Sequence, residues 1–292
     1  MTCSPEVLFR DALQSVFGPL DWLPVPDGAI QRFHVPGDRS GTLNGWYALF
    51  LDGIASGAFG SWKTGEIHRW SIRKPADHLE AHLIAQRIEQ ARHQREAEQH
   101  QRQQAAANEA SARWSRAVPA SQNHPYLVAK GVKPHGLRQS GDVLLAPLYA
   151  DGELVNLQRI APDGGKRFLP GALVKGAYSP LGRIEAGKPL YICEGWATGA
   201  TIHEETGCPV ACAMNAGNLL AVGQYLRRRY PDAVLIVAGD DDRQTESNPG
   251  RTKANHAAAL LGCGVVFPPW PAGAPLHLTD FNDLRQWLEA HP

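Results

Sequence analysis

The chain has 292 residues, 43% of them hydrophobic, with 29 Lys+Arg balanced by 29 Asp+Glu. This composition excludes a disordered chain and fits one or two domains, and the zero net charge excludes a globally basic nucleic-acid binder, so any such surface must be local. Five cysteines (Cys3, Cys193, Cys208, Cys212 and Cys263) without a C-x-x-C pair speak against a zinc ribbon and for a reducing compartment.

The N-terminus lacks a charged segment leading into an apolar one, and no apolar run reaches the ~18 residues of a membrane span. A soluble cytoplasmic protein with no membrane partner is expected. Residues 1–74 open with "PEVLFRDALQSVFG", where Val7, Leu8, Ala12, Leu13 and Phe17 recur at helical spacing and Gly18 supplies a stop. Short aromatic and aliphatic runs follow, broken at Pro36-Gly37, Asn44-Gly45 and Asp52-Gly53. Asp-Gly between "WYALFL" and "IASGAF" predicts a tight type I′ hairpin in a small antiparallel sheet.

Residues 75–117 change character. The stretch "LEAHLIAQRIEQARHQREAEQHQRQQAAANEASARW" has no Pro or Gly and is rich in helix formers. Leu79, Leu83, Ile84 and Ile88 form a candidate apolar stripe, and no large aliphatic residue follows until Trp114. A long helical connector with a solvated distal half is expected; the heptad positions of a coiled coil are missing.

The segment 118–187 begins with a mixed α+β pattern including "DVLLAPLY" and "ELVNLQRI". In 188–292 the strand-like runs "PLYICEG", "PVACAM", "AVLIVAG" and "GVVFPP" alternate with three helical stretches. That order predicts an α/β domain with a parallel sheet flanked by helices. Ligands of such sheets bind beyond the carboxyl ends of the strands. Two strands there end in acids, one at Glu194-Gly195 and one at Asp240-Asp241-Asp242. Side chains alternate along an extended chain, so Asp240 and Asp242 point one way and Asp241 another. With Glu194, three carboxylates converge in this reading, a donor set suited to Mg²⁺ and phosphate chemistry. A nucleotide triphosphatase would need G-x-x-x-x-G-K-[ST], which neither "GSWKTGE" nor "DGGKRF" supplies, and G-x-G-x-x-G is absent too.

"YICEGWATG" together with "IVAGDDDR" resembles the Toprim domain of bacterial-type primases, topoisomerases and some nucleases. The resemblance implies Glu194 as acid/base or metal holder, Asp240 and Asp242 as a metal-binding pair, and Mg²⁺ or Mn²⁺ as cofactor. Upstream, "HPYLVAKGV", "LLAPLYADGELVNLQRIAPDGGKRFLPG" and "LVKGAYSPLG" are similar to the subdomain that precedes Toprim in bacterial-type primases, especially those of plasmids and phages. "TDFNDL" also recurs in that branch. The implied activity is a nucleotidyltransferase, a DNA primase joining nucleoside triphosphates into short RNA primers on single-stranded DNA, with a replicative helicase on another chain as a possible partner. Carried over, Arg159, Lys166, Arg167 and Lys175 form a basic face for template or nucleotide. Arg251 and Lys253, at a helix start, can contact phosphates, or Arg251 can simply balance the aspartates.

Asp280 and Asp283 in "DFND" can extend the metal site, whereas a purely structural reading has Asp280 or Asn282 cap the final helix; Asp280 is taken as a further metal residue. Asn215 and Gly217 either approach a nucleotide or make a tight turn. Many of these primases have an acid four places after the glutamate, where Thr198 stands here. They also commonly begin with a zinc ribbon, and no zinc is expected in this chain. Trp46, Tyr47, Phe50, Phe59, Trp62 and Trp70 lie instead among Arg32, His34, Arg39, Lys63, His68 and Arg69. Residues 1–74 are therefore read as a zinc-free template-sampling module, with at least half of those rings given over to a small core. Two alternatives remain, a metal-dependent Toprim nuclease and a non-catalytic single-stranded-DNA-binding replication accessory protein.

Overall fold

The computed structural model describes residues 4–185 and 187–292; Cys3 lies outside the described residues. The chain divides into two compact units between Gln101 and Arg102.

In the first unit, α1 (Pro5–Phe17) starts at a proline whose fixed φ suits the first helical turn and ends at Gly18, φ +88°. Strands β1 (Gln31–Phe33), β2 (Gly45–Phe50), β3 (Ser56–Ser61) and β4 (Ile67–Ser71) pair antiparallel in that order. Phe33, Tyr47, Leu49 and Phe59 pack with Phe9 and Leu13 of α1. Phe9 meets the rings of Tyr47, Phe59 and Trp70 edge-on at 5.9, 5.7 and 5.2 Å. These three rings are core, not platforms for bases.

The hairpin between β2 and β3 corrects the expected tight turn. Its closing pair is Phe50 and Ser56, which leaves a five-residue loop. Gly53 has φ +75° but Asp52 is not left-handed, so a type I′ turn is not formed. The loop is longer because Ile54 and Ala55 fold inward and are buried. Arg87 holds it by donating to Ile54 O and Asp52 Oδ2.

Helix α2 (His78–Arg116) has 39 residues, about 58 Å at 1.5 Å per residue. Leu79 and Leu83 are exposed, at 62% and 51%, so the expected apolar stripe is reduced to the half-buried Ile84 and Ile88. The helix packs through small residues, Ala91, Ala106 and Ala110, all buried. Nor is the distal half simply solvated: in the second unit Ala110 joins Ala117, Leu145, Leu157 and Leu169. Alanine carries little hydropathy signal, yet it lets a helix backbone approach its neighbour closely.

The second unit holds two sheets. Strands β5 (Val118–Pro119), β6 (Arg138–Ser140), β7 (Val143–Ala150), β8 (Glu153–Ile160) and β9 (Lys166–Phe168) form an antiparallel meander, with α3 (Pro125–Lys130) between β5 and β6. The other sheet is built from β10 (Ser179–Leu181), β11 (Pro189–Cys193), β12 (Val210–Cys212), β13 (Val234–Ala238) and β14 (Gly264–Val266), in the order β10-β12-β11-β13-β14. All neighbours are parallel except β10, an antiparallel edge. The helices α4 (Trp196–Thr206), α5 (Leu219–Arg229), α6 (Pro249–Leu261) and α7 (Phe281–Ala290) complete it. Side chains of α5 and α6 cover one face. On the other, α4 packs in one core with Leu144, Leu148 and Ile160 of the meander and with Tyr126 and Leu127 of α3. That shared core brings the meander to the carboxyl ends of β11 and β13. Among the described residues no helix is long and apolar enough to cross a membrane.

Candidate active site

β11 and β13 are adjacent and parallel, with Cys193 opposite Ala238. Glu194 and Asp240 therefore leave the same edge of the sheet side by side. Gly239 makes this exit possible, since a Cβ there would stand 2.4 Å from Ala254 Cβ and 2.5 Å from the Phe267 ring. Asp240 Oδ1 is buried and has no hydrogen-bond donor. Burial, followed by the charges of Glu194, Asp280, Asp242 and Asp283, pushes the Asp240 carboxyl up to about 8. Burial also raises Glu194, while a hydrogen bond from the Ala216 backbone and the nearby Lys253 and Lys166 oppose it.

The three aspartates have different partners. Asp242 Oδ2 accepts from Gly250 N at 2.8 Å, and its own N–H donates to Asn248 Oδ1 at 2.8 Å. A Cβ on Gly250 would stand 2.8 Å from that same Oδ2, so a glycine is needed at the helix start. Asp241 turns away as alternation predicts. Its buried Oδ1 accepts from Arg251 Nε at 2.9 Å and Asn248 Nδ2 at 2.7 Å, and the Arg251 guanidinium lowers its pKa. Ser247 and Asn248 are both left-handed, φ +60° and +43°, which lets Asn248 serve Asp241, Asp242 and the first turn of α6 together.

Asp280 caps the final helix with one oxygen and faces the other carboxylates with its second. Oδ1 caps α7 by accepting from Asp283 N at 2.8 Å. Oδ2 accepts from Thr198 Oγ1 at 2.7 Å, and the carboxylate is close enough to help raise Asp240. Asp283 caps Thr279 N at 3.0 Å and pairs with Lys130 Nζ at 3.4 Å.

The basic residues do not form one face. Arg159 and Arg167 are cross-strand partners, as are Ile160 and Lys166. Arg159 shares its side of β8 with Leu157, which packs towards α2, whereas Ile160 belongs to the core beneath the carboxylates. Lys166 therefore alone of the three faces the acids, with Nζ 5.6 Å from the Tyr126 ring centroid. Although much of the residue is exposed, desolvation of its ammonium and then Lys130 lower its pKa, against Asp280, Asp240 and Glu194. Lys175 is exposed on the loop before β10. Lys253 lies near Glu194 and over Gly217, whose Cβ position is 3.8 Å from its Nζ. Arg251 is committed to Asp241 and to the Phe267 ring, 4.1 Å from its centroid. Asn215 precedes the short helical turn Ala216–Asn218.

Sequence reasoning passed over three residues. Tyr126 is 3% exposed, its hydroxyl has no partner, and burial with Asp280 nearby raises its pKa. Lys130 neighbours Lys166 and Asp283. Buried Asn218 donates to Val174 O, Ala177 O and Ala213 O, each at 2.9 Å, and accepts from Gly176 N at 2.7 Å. "HPYLVAKGV" carries the first two but shows nothing of their convergence on a site over 100 residues away.

The carboxylates of Glu194, Asp240 and Asp242 are neighbours here without being drawn together on one point. Among the described residues, no three His, Cys, Asp or Glu side chains are gathered into a ready-made metal cage, and Asp242 Oδ2 already accepts from the Gly250 amide. The donor set still fits Mg²⁺, which is commonly held by one or two carboxylates with waters and substrate phosphate oxygens. The orphan Asp240 Oδ1 is a buried acceptor of the kind a cation would satisfy.

Residues 189–288 match the Toprim domain family. The chain carries a Toprim domain. Glu194, Asp240, Asp242 and Asp280 all fall inside it. Two curated relatives, both named DNA primase TraC of Escherichia coli, extend the likeness upstream. One is 34% identical over 288 residues, covering 92% of this chain and 27% of its own. The other is 35% identical over 274 residues, covering 89% and 19%. The chain thus spans about a quarter or less of the length of the curated relatives it matches. Similarity to primases runs through the Toprim domain, the meander and most of the first unit.

Proposed function

We propose that the chain is a DNA-primase-type nucleotidyltransferase that joins nucleoside triphosphates into short RNA primers on single-stranded DNA. The observation that carries this reading is Asp240, a buried carboxylate with an unpartnered oxygen, raised to about 8 and neighboured by Glu194 and Asp280 at the end of a parallel sheet. Such a group is costly to ionise alone and becomes favourable beside a cation. Mg²⁺ or Mn²⁺ held by Asp240 with Glu194 and Asp242, and with Asp280 nearby, would supply charge neutralisation and a more acidic hydroxyl.

The chain's own groups do the rest. Glu194, raised by burial and held by the Ala216 amide, accepts the proton of a primer 3′-hydroxyl. The hydroxyl oxygen bonds to the α-phosphorus of the incoming nucleotide, and the bond to pyrophosphate breaks. Lys166 and Lys253 flank the carboxylates and offset triphosphate charge. Lys175 and the Arg159–Arg167 pair lie further out and serve the template backbone.

The test is synthesis on unlabelled single-stranded DNA with labelled ribonucleotides and Mg²⁺ or Mn²⁺. Short labelled products from the parent chain, and none from Asp240→Asn with DNA binding retained, are expected. Full synthesis by Asp240→Asn overturns the mechanism. Shortened template indicates a nuclease, and a mobility shift without chemistry indicates a binding protein; either replaces this reading.

A further inference from the structure

The first unit contains a cluster of hydrogen-bond donors with no acceptor. Arg32 and Trp46 are register partners across β1 and β2, and the Arg32 guanidinium lies 5.1 Å from the Trp62 ring centroid. From α2, Arg95 lies 5.4 Å from the Trp46 centroid and 5.8 Å from that of Trp62. The two indole rings are 6.3 Å apart. The Nε1 atoms of both tryptophans and the Nε atoms of both arginines are buried without a hydrogen-bond partner. Buried donors are nearly always paired, so four together require a reason.

Stacking of guanidinium on indole accounts for the shape of the cluster but not for its charge. Glu98 approaches Arg32 Nη1 only to 3.7 Å, longer than a charge-assisted hydrogen bond. Among the described residues of the cluster, two guanidiniums outnumber the single charge of Glu98 and leave the cluster positive. It also opens outward. Trp46 is 1% exposed, while Arg32, Trp62 and Arg95 are each part-exposed. Next to Trp62 in sequence stands Lys63, whose side chain is 63% exposed although its ammonium is paired with Asp38. The complementary guest is an anion with several acceptor oxygens, attached to a flat group that can lie against an indole. A phosphate of a nucleic-acid strand has both features.

We propose that Arg32, Trp46, Trp62 and Arg95 form a phosphodiester-binding site for single-stranded nucleic acid, with the guanidiniums meeting a backbone phosphate and Trp62 offering its ring to a base. The choice of a strand as ligand rests on the primase reading; the donor cluster does not. This is also where the aromatic-and-basic pattern of residues 1–74 resolves, into two rings of six rather than a broad platform.

The experiment uses the whole chain without divalent cation, and without nucleotide except where ATP is the added probe, so that the Toprim site lacks its metal. Indole ¹⁵N–¹H resonances of Trp46 and Trp62, assigned through Trp→Phe variants, are followed during addition of oligo(dT), of ATP at equal phosphate concentration, and of poly-glutamate. Both resonances are expected to move with oligo(dT) and to move far less with the other two. In a parallel anisotropy titration, Arg95→Gln is expected to weaken oligo(dT) binding at least fivefold and to lower the salt slope by about one. Resonances that stay still overturn the proposal, as do equal shifts with ATP (a nucleotide site) or poly-glutamate (an acidic-protein site), or unchanged affinity in Arg95→Gln. Should that variant fail to fold, the parent-chain spectra decide. A chain that makes primers while both indoles stay silent overturns this site alone, and shifts without primer synthesis overturn the catalytic reading alone.

Discussion

Thr198 Oγ1 donates a 2.7 Å hydrogen bond to Asp280 Oδ2. Thr198 is 1% exposed on the first turn of α4, and Asp280 caps α7. Residues 82 apart thus join the helix that follows Glu194 to the last helix of the Toprim domain. Thr198 stands where the resemblance to primases leads one to look for an acid. Its hydroxyl binds one instead, so a carboxylate reaches this corner of the site from α7 rather than from α4.

Removing that hydroxyl leaves Asp280 with one donor fewer while its cap on α7 survives. Thr198→Val keeps the shape and is expected to cost about 1–2 kcal/mol, a fall in Tm of roughly 2–6 °C for a domain of this size. Thr198→Asp places two carboxylates within hydrogen-bond range of one another. It is expected to destabilise the metal-free chain more than valine does and to regain the loss with Mg²⁺. Thermal melts of both variants with EDTA and with Mg²⁺ decide this; equal response of the two variants to Mg²⁺ would show that position 198 does not face the cation.

Asp240 sets a pH dependence whose sign follows from its raised pKa. The unfolded carboxyl titrates near the ordinary aspartate value of 3.8, while in the folded chain it is pushed up to about 8. As pH rises between these values the unfolded chain gives up the proton first, so stability falls through that window and levels above it. Glu194, also raised, adds in the same direction. Asp240→Asn removes the largest contributor. Its Tm is expected to match the parent near pH 4 and to exceed it increasingly towards pH 8, with Mg²⁺ closing the gap. A Tm difference that is flat from pH 5 to 9 would refute the assignment.

Arg251 and Lys166 were alike in sequence but play different parts. Arg251 pairs with Asp241, whose side chain is 6% exposed. Arg251→Gln is expected to cost about 1–2 kcal/mol, the loss of one hydrogen bond to a buried carboxylate that Asn248 still holds, while oligonucleotide affinity and its salt slope stay unchanged. Because Arg251 lowers Asp241, the stability it confers is present above pH 4 and lost as pH falls further. Lys166→Gln should barely change Tm but lower primer synthesis at least tenfold. Reversed phenotypes would exchange the two roles.

The elements of the Toprim domain were legible because buried parallel strands and their helices alternate plainly in the sequence, and because Glu194 and Asp240 follow strands directly. Alternation also placed Asp241 away from its neighbours. Less legible were features that depend on distant pairing. The separation of Lys166 from Arg159 and Arg167 follows from the register of β8 and β9, which composition does not encode. The burial of Ala106 and Ala110 leaves no trace in the pattern of large aliphatics, and the loop at Asp52-Gly53 is shaped by Ile54 turning inward rather than by turn propensity.

Asn218 shows the same limit and supplies the last test. Its side chain is 3% exposed and clasps the loop carrying Lys175 through Val174 O, Gly176 N and Ala177 O, while also holding Ala213 O. The turn it ends includes Ala216, whose amide holds Glu194. Asn218→Ala leaves several buried backbone groups without partners and is expected to cost about 2–4 kcal/mol, or roughly 5–10 °C in Tm. Loss of the clasp should also free the loop, so trypsin is expected to cut after Lys175 much faster than in the parent chain, while cleavage after exposed Arg39 stays the same. Because the loop and Glu194 are tied to one turn, primer synthesis should fall with loop release even at temperatures where the variant remains folded. An Asn218→Ala chain that resists trypsin at Lys175 as well as the parent does would show that the loop is held by its own packing and that Asn218 acts on stability alone.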